Sequence, residues 1–294
     1  MASENMLNNK SKVNKELDQC LRELGNKNYR TRTNAAKKLS VLAKKGVYHN
    51  DSLQPLTNLL SDNYKFVRKH AAFALGDIAE CGVFDKNAIT PLKKLLSDTD
   101  NEVRWSATFA LKTLAKNGIF ESNAVQCFEK LLFDKYRRVR YNATLAIVAL
   151  AEHEICSMST IYPLITLLAD RNIMVRSSAA FVIGCLAKND LFDNVAIKPL
   201  TGLLSDKNHV VRKNAAQALT VLNEKGVVGI NDEKMVQHIH YGDNIGTQVT
   251  GDNFIYKSNI GANTHNTPSH KYEVGGNMPD NNESGMKFNE TEVF

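Results

Sequence analysis

The side chains that could bind a metal ion are few, and they do not assemble into a ligand set. His153-Glu154 places an imidazole next to a carboxylate, but one such pair cannot complete the coordination of a metal ion. We interpret His153 as a polar residue at the end of a helix. His238 and His240 are two residues apart, so on a strand both would face the same side. No cysteine or third histidine lies nearby, and we interpret this pair as exposed polar residues of a strand.

Catalytic motifs are also missing from the sequence. There is no phosphate-binding loop, no GxSxG elbow and no pair of carboxylates at a catalytic spacing. Asp243 and Asp252 follow glycines, but their surroundings differ from the calcium-binding nonapeptide. The sequence therefore predicts no catalytic residue, no metal, no cofactor and a protein that is not an enzyme.

The cysteines are predicted to serve as small hydrophobic side chains. They do not form a CxxC pair, and two of them replace a leucine and a proline of a repeated pattern described below. Unpaired thiols suit a reducing compartment, so the sequence favours a cytoplasmic protein. These residues are Cys20, Cys81, Cys127, Cys156 and Cys185.

The cysteines and His153 lie in a repeat of 36 residues, whose elements would position them. An eight-residue segment that ends in Asp recurs five times without slippage, at 55–62, 91–98, 127–134, 163–170 and 199–206. An arginine follows each of these aspartates by six residues, and a pair of small residues comes after it. A fixed period in this range, with an apolar pattern inside it, is typical of a solenoid.

Each repeat is predicted to contain two helices. In the second repeat, helix A covers about 52–61 and has Pro55 in its first turn, where the missing N–H costs nothing. Helix B covers about 64–81 and is followed by Gly82, as expected of a glycine after a helix C-terminus. Glu154 and Asp190 replace this glycine in two repeats, so we expect those two connections to differ.

The spacing of Pro, Asp and Val-Arg within each helical pair resembles HEAT repeats, most of all the short, regular kind of bacterial and archaeal proteins called PBS-lyase-like. The resemblance covers residues 15–230, and the first of its six repeats is degenerate. It implies an all-α fold, an α-solenoid of about six helical hairpins. It also implies that the turn Asp and the helix-B Arg form a structural ladder between repeats.

The remaining segments were assigned from composition and pattern. Residues 1–12 are predicted to be disordered, 13–230 to form the solenoid, 231–267 to form a short Asn/Gly-rich β segment, and 268–294 to be a disordered tail. Residues 242–261 alternate polar and apolar side chains between Gly-Asp-Asn turns. Such a small sheet needs a partner surface, so we predict a homo-oligomer through this segment. The sequence shows no membrane span and no signal peptide.

One face of helix B carries the candidate binding residues. Positions i, i+4, i+7 and i+11, counted from the residue after the repeat arginine, lie on one helical face that lines the concave groove in HEAT arrays. The second of these positions is polar in the outer repeats and apolar in the middle four. An aromatic band with a charged rim is typical of a protein-binding surface. The predicted protein-binding residues are Phe73, Trp105, Phe109, Tyr141, Leu145 and Phe181.

The function that this pattern favours is a non-enzymatic scaffold that binds a protein or peptide on its concave face. In a competing interpretation, the aromatic column is part of the core between the helices. Another alternative is nucleic-acid binding by the basic first repeat, because residues 1–50 hold eleven basic and four acidic residues. The resemblance leaves room for a third alternative, a bilin-lyase-like or metal-dependent HEAT enzyme.

Overall fold

A computed structural model describes residues 2–227, with side chains from residue 13 onward. The predictions for residues 231–267 and 268–294 lie outside this range, and self-association through 242–261 stays a prediction. Helix α1 begins at Ala2, within the segment that the sequence predicted to be disordered. Within the described range the fold is all-α, and no helix there is long and apolar enough to cross a membrane.

Within residues 2–227 the helices follow one another as six antiparallel pairs, each with a helix A and a helix B. The A helices are α1 (Ala2–Leu24), α3 (Leu53–Leu59), α5 (Ile89–Leu95), α7 (Ala124–Leu131), α9 (Ile161–Leu167) and α11 (Ile197–Leu203). The B helices are α2 (Tyr29–Lys44), α4 (Lys65–Glu80), α6 (Asn101–Lys116), α8 (Arg137–Glu152), α10 (Ile173–Lys188) and α12 (His209–Glu224). Short 3-10 turns precede four A helices, at Asn50–Ser52, Lys86–Ala88, Met158–Thr160 and Asn194–Ala196. This arrangement confirms the predicted solenoid.

Small side chains on helix B allow the repeats to stack closely. Each helix B packs against the helix B of the next repeat. These helices carry fully buried small residues, such as Ala72 in α4 and Thr108 in α6. Leucines of helix A, including Leu56 and Leu92, close the core from the other side with no exposed surface. Stability therefore comes from a series of similar interfaces between neighbouring repeats.

In all six repeats of the described range, the residue two positions after the end of helix B adopts the left-handed conformation, and it is glycine in four of them. Gly82 has a φ of 79°, while Glu154 and Asp190 have φ values of 58° and 59°. The amide of the following residue then bonds back to helix B, as Ile155 N–H does to the carbonyl of Leu150 at 3.1 Å. The expectation that these two connections differ was wrong, because the cap geometry is kept. The two side chains carry the strain that glycine avoids.

The ladder of arginines and aspartates joins each repeat to the one after it. Arg68 Nε and Nη2 donate to the two carboxylate oxygens of Asp98, at 2.7 and 3.0 Å. The third nitrogen, Nη1, donates to the carbonyl of Asp62 in its own repeat at 2.9 Å. Asp98 also accepts from the amide of Asp100, so one carboxylate fixes both the neighbour and the start of helix B. The same pairing joins Arg32 to Asp62, Arg104 to Asp134, Arg140 to Asp170 and Arg176 to Asp206.

These ion pairs lie largely out of water. The side chain of Arg140 is 16 % exposed and that of Asp170 is 8 % exposed. Bidentate pairing of guanidinium with carboxylate is strong and geometrically specific. Removal of one partner leaves a buried charge without its counter-ion, which costs more than an exposed pair is worth.

We expect Arg140→Ala to lower the free energy of unfolding by about 3–5 kcal/mol, because Asp170 loses its guanidinium. Urea unfolding monitored by circular dichroism measures this change. Arg212→Ala is the matched control, since Nη1 of Arg212 donates to the carbonyls of Asp206 and Lys207. Within residues 2–227 Arg212 has no aspartate side chain in the position of Asp170, so its loss should cost about 1 kcal/mol. Equal losses for the two variants would contradict a stabilising role for the pairing between repeats.

Candidate functional site

The predicted binding residues all lie on B helices, in consecutive repeats. Phe73 is on α4, Trp105 and Phe109 are on α6, Tyr141 and Leu145 are on α8, and Phe181 is on α10. All of them are partly buried, whereas the residues that directly follow Phe73 and Phe109, Ala74 and Ala110, have no exposed surface. The column therefore lies at the boundary between the core and the solvent, and each side chain keeps an accessible edge.

Three of these aromatic side chains form one cluster. The ring of Phe73 meets Trp105 edge-on at 4.8 Å between centroids and stacks on Phe109 at 5.1 Å. Such arrangements contribute beyond simple burial. The cluster bridges α4 and α6, and the other predicted residues continue the apolar surface on α8 and α10.

Gly76 makes room for this cluster. A β-carbon at position 76 would lie 2.6 Å from Cε1 of Phe109, and 3.1 Å from the backbone α-carbon of Ala110. The ring of Phe109 can therefore lie flat over α4 only because residue 76 has no side chain. Glycine in a helix interior costs about 1 kcal/mol relative to alanine, and here it allows the close approach of Phe109.

Cationic side chains lie against the cluster. Lys112 Nζ is 4.9 Å from the centroid of the Phe109 ring, and the guanidinium carbon of Arg138 is 4.9 Å from that of Trp105. Cations at this distance from a ring face are attracted to it. Burial lowers the pKa of Lys112, against the opposing effect of Glu80 and Asp77. Sequence reasoning missed Arg138, although its place one helical turn before Tyr141 would have put it beside the band.

A buried carboxylate lies beneath this face. Asp77 is 2 % exposed, accepts a hydrogen bond from Ser40 Oγ and has Lys44 Nζ 3.8 Å from the same oxygen. Its other carboxylate oxygen has no hydrogen-bond donor among the residues that the structure describes. Burial raises the pKa of Asp77 to about 6, although Ser40 and Lys44 oppose the rise. The sequence signal, an acidic residue within the buried stripe of α4, was not recognised as a site.

The histidines and cysteines do not form a reactive centre in the described part of the chain. Within residues 2–227, no three His, Cys, Asp or Glu side chains are grouped to hold a metal ion. His153 lies at the C-terminal end of α8, 5.5 Å from the ring of Phe120. Burial raises the pKa of Cys156 to about 12 and that of Cys185 to about 11, so both stay protonated thiols at neutral pH. His238 and His240 lie outside the described residues.

Comparisons with known proteins agree with the architecture. The sequence profile of HEAT repeats matches residues 15–112, and that of the non-SMC mitotic condensation complex subunit 1 matches residues 157–256. A search of curated proteins finds no match.

Solved structures of repeat proteins superpose on most of the chain. A designed armadillo repeat protein in complex with peptide (KR)4 shares 28 % identity, over 70 % of this chain and 99 % of its own, with a TM-score of 0.59. The YibA protein of E. coli shares 25 % identity over 78 % and 83 % of the two chains, with a TM-score of 0.51. An archaeal HEAT-like repeat protein from Thermococcus onnurineus NA1 shares 15 % identity over 71 % and 87 %, with a TM-score of 0.54.

The fold, the repeat pattern and the comparisons together define the class of protein. It is an α-solenoid of HEAT-like repeats, of the short and regular kind that the sequence predicted. Its aromatic band, with cations against the rings, lies on the partly buried face of the B helices.

The pKa of Asp77 predicts an unusual pH dependence. An ordinary aspartate has a pKa near 3.9, so the raised value in the folded state stabilises the protein at low pH and this contribution is lost as pH rises through about 6. We therefore expect Asp77→Asn to be more stable than the wild type by about 2–3 kcal/mol at pH 8, and equal to it near pH 4. Chemical unfolding at a series of pH values measures the difference.

The matched control is Asp51→Asn, which removes the same charge from a side chain that is 77 % exposed. This variant should follow the wild type at every pH. A constant difference between Asp77→Asn and the wild type across the range would show that burial of the charge is not the cause.

Proposed function

We propose that the helix-B face from α4 to α10 binds an acidic, partly apolar peptide segment of another protein. The observation that carries this proposal is the partly buried band around Phe73, Trp105 and Phe109, which has cations against its rings. Apolar side chains at the centre with charges around them are the usual composition of a binding hot spot. The protein would then act as a scaffold that holds its partner along the repeats.

The charge of the face determines the chemistry of the partner. The candidate face consists of positions i, i+4, i+7 and i+11 of helix B, counted from the residue after the repeat arginine. Over the six repeats, the first three of these positions hold four lysines and no acidic residue. Three of these, Lys37, Lys69 and Lys112, are partly buried. Lys69 pairs with Glu102 at 3.1 Å, while Lys112 lies on Phe109 and Arg138 on Trp105. A partner with Asp or Glu between its aromatic and aliphatic residues would complement this surface.

The repeat architecture supports an extended ligand. Helices that pack side by side are about 8–10 Å apart, so four consecutive repeats present roughly 30 Å of surface. An extended chain rises about 3.3 Å per residue, and about nine to twelve residues would cover the band. The designed armadillo neighbour is in complex with a peptide of alternating Lys and Arg. The lysines of the present face favour the opposite charge.

Selection from a displayed library of random peptides of about twelve residues tests the proposal, and we expect enrichment of Asp or Glu together with aromatic or aliphatic residues. Fluorescence polarisation with an enriched peptide then compares variants. Phe109→Ala should weaken binding by about 2 kcal/mol, roughly thirtyfold. Phe133→Ala is the matched control, because Phe133 is 60 % exposed and lies after helix α7, away from the helix-B face.

Thermal melts of the same variants distinguish a binding surface from a core. A loss of about 3–5 kcal/mol of stability in Phe109→Ala would place this ring in the core and contradict its role in binding. Enrichment of basic peptides, or equal binding by Phe109→Ala and Phe133→Ala, would also contradict the proposal.

A second candidate function is supported by one observation in the first two repeats. The rings of Tyr29 and Tyr64 stack at 4.2 Å, and Arg30 lies 5.9 Å from the centroid of the first ring. Phe66, with Lys65 5.4 Å from its centroid, is 52 % exposed, and Tyr64 is 48 % exposed. Exposed rings among cations are typical of surfaces that bind single-stranded nucleic acid.

For this candidate we expect a labelled single-stranded oligonucleotide to bind, with an affinity that falls steeply as salt rises from about 50 to 200 mM. Tyr64→Ala should weaken binding by about 1–3 kcal/mol, because a base loses its stacking partner. The matched control is Tyr162→Ala, which removes a ring that is 52 % exposed on α9. Absence of binding at low salt, or equal effects of the two variants, would contradict the candidate.

A further inference from the structure

Within residues 2–227, the last residue of every B helix is charged, and the sign alternates from repeat to repeat. Helices α2, α6 and α10 end in lysine, while α4, α8 and α12 end in glutamate. All of these side chains are exposed. We call them the terminal row, and in order they are Lys44, Glu80, Lys116, Glu152, Lys188 and Glu224.

Helix stability explains only half of the terminal row. The C-terminal end of a helix carries a partial negative charge, so lysine there is favourable and glutamate is unfavourable. Helices α4, α8 and α12 have no basic residue in their last turn to offset the glutamate. The three glutamates therefore work against the helices that carry them, and the regular alternation needs another explanation.

Attraction between neighbouring repeats is one explanation. Glu80 and Glu152 both act to raise the pKa of Lys116, which burial lowers to about 8. Lys44 pairs instead with the buried carboxylate of Asp77, with 3.8 Å between Nζ and Oδ2. Pairing within one chain would leave each end of the row with a neighbour on one side only. It would also work equally well with an odd number of charges.

An alternating row with an even number of charges has a further property, because it is complementary to itself when it is reversed. A two-fold axis between α6 and α8 places Lys44 opposite Glu224 of a second copy, Glu80 opposite Lys188, and Lys116 opposite Glu152. In an interface of this symmetry each contact occurs twice. The spacing also matches without adjustment, since both rows have the period of the same repeat.

Apolar residues follow the terminal row closely. Two hydrophobic residues follow the left-handed residue after each B helix from α2 to α10, and most of them, such as Val83 and Phe84, pack partly on the core. Tyr48 is 36 % exposed and Ile155 is 38 % exposed. Exposed ion pairs contribute little to affinity, so the row would determine the register while these apolar edges supply contact area.

The terminal row is the fourth position of the helix-B face whose first three positions carry the aromatic band. Lys116 follows Phe109 by seven residues, which is about 10 Å along the helix axis. The two proposals rest on different side chains, so the failure of one is distinguishable from the failure of the other.

We propose that the terminal row is a self-association surface, through which two copies of this chain pair in antiparallel order. The expected dimer is weak and sensitive to salt, because its specificity comes from exposed charges that salt screens. It forms by contact between folded solenoids.

Charge reversal of the full-length chain tests this proposal. One variant carries Lys44→Glu, Lys116→Glu and Lys188→Glu, and a second carries Glu80→Lys, Glu152→Lys and Glu224→Lys. Static light scattering near 0.02 M salt should give the wild type a mass well above the 32.7 kDa of one chain, falling to that value near 0.5 M salt. Each variant alone should stay at the mass of one chain, and an equimolar mixture should regain the wild-type mass.

A charge-matched control separates the terminal row from general attraction. Lys86→Glu, Lys94→Glu and Lys198→Glu change three exposed lysines outside the terminal row and give the same net charge as the first variant. This control should self-associate like the wild type. It should not form a complex with the second variant, in which all six residues of the terminal row are lysine.

Three outcomes would overturn the proposal. The first is a wild type with the mass of one chain at every concentration and low salt. The second is association that persists in each reversed variant, which would assign self-association to another part of the chain. The third is a mixture of the two reversed variants that does not associate although circular dichroism shows both to be folded.

Discussion

The ion pair between the arginine of one repeat and the aspartate of the next is the constraint on which the solenoid depends. Each carboxylate accepts from the guanidinium of the preceding repeat and from an amide at the start of its own helix B, as Asp98 does with Arg68 and Asp100. One side chain therefore sets both where helix B begins and how it lies against its neighbour. Because the five junctions between the described repeats use the same pair, equivalent positions of successive B helices form rows along the solenoid.

These rows separate the structural positions of helix B from those free to vary. Small residues such as Ala72 and Thr108 are fully buried and keep the helices close. The positions of the aromatic band and of the terminal row are not needed to keep the helices close, and they hold aromatic rings, lysines or glutamates. Gly76 is also buried, and it must stay without a side chain for Phe109 to pack over it. The aromatic band therefore depends on the missing side chain at position 76 of α4 as well as on the aromatic residues themselves.

The architecture could be predicted from the sequence because a fixed period repeats the same evidence in each unit. The direction of the ladder, meaning whether each arginine pairs with the aspartate before it or with the one in the next repeat, could not be predicted. In a periodic sequence the aspartate six residues before Arg68 and the one 30 residues after it are equally regular, and the structure selects Asp98. The partial burial of Phe109 could not be predicted either, since its position borders both the core and the solvent. The buried site at Asp77 could not be predicted, because its contacts are with Ser40 and Lys44 of another helix.

The two surfaces of the B helices use charge in different ways. Around the aromatic band the cations of Lys112 and Arg138 lie against the rings of Phe109 and Trp105, so charge acts there at short range, next to the apolar surface. In the terminal row the positive and negative charges cancel, and their field falls away quickly. A balanced row does not attract a partner from afar, but it penalises every alignment that places like charges together. In the two proposals, the first surface binds a peptide through rings with cations against them, and the second sets the register between two identical rigid solenoids.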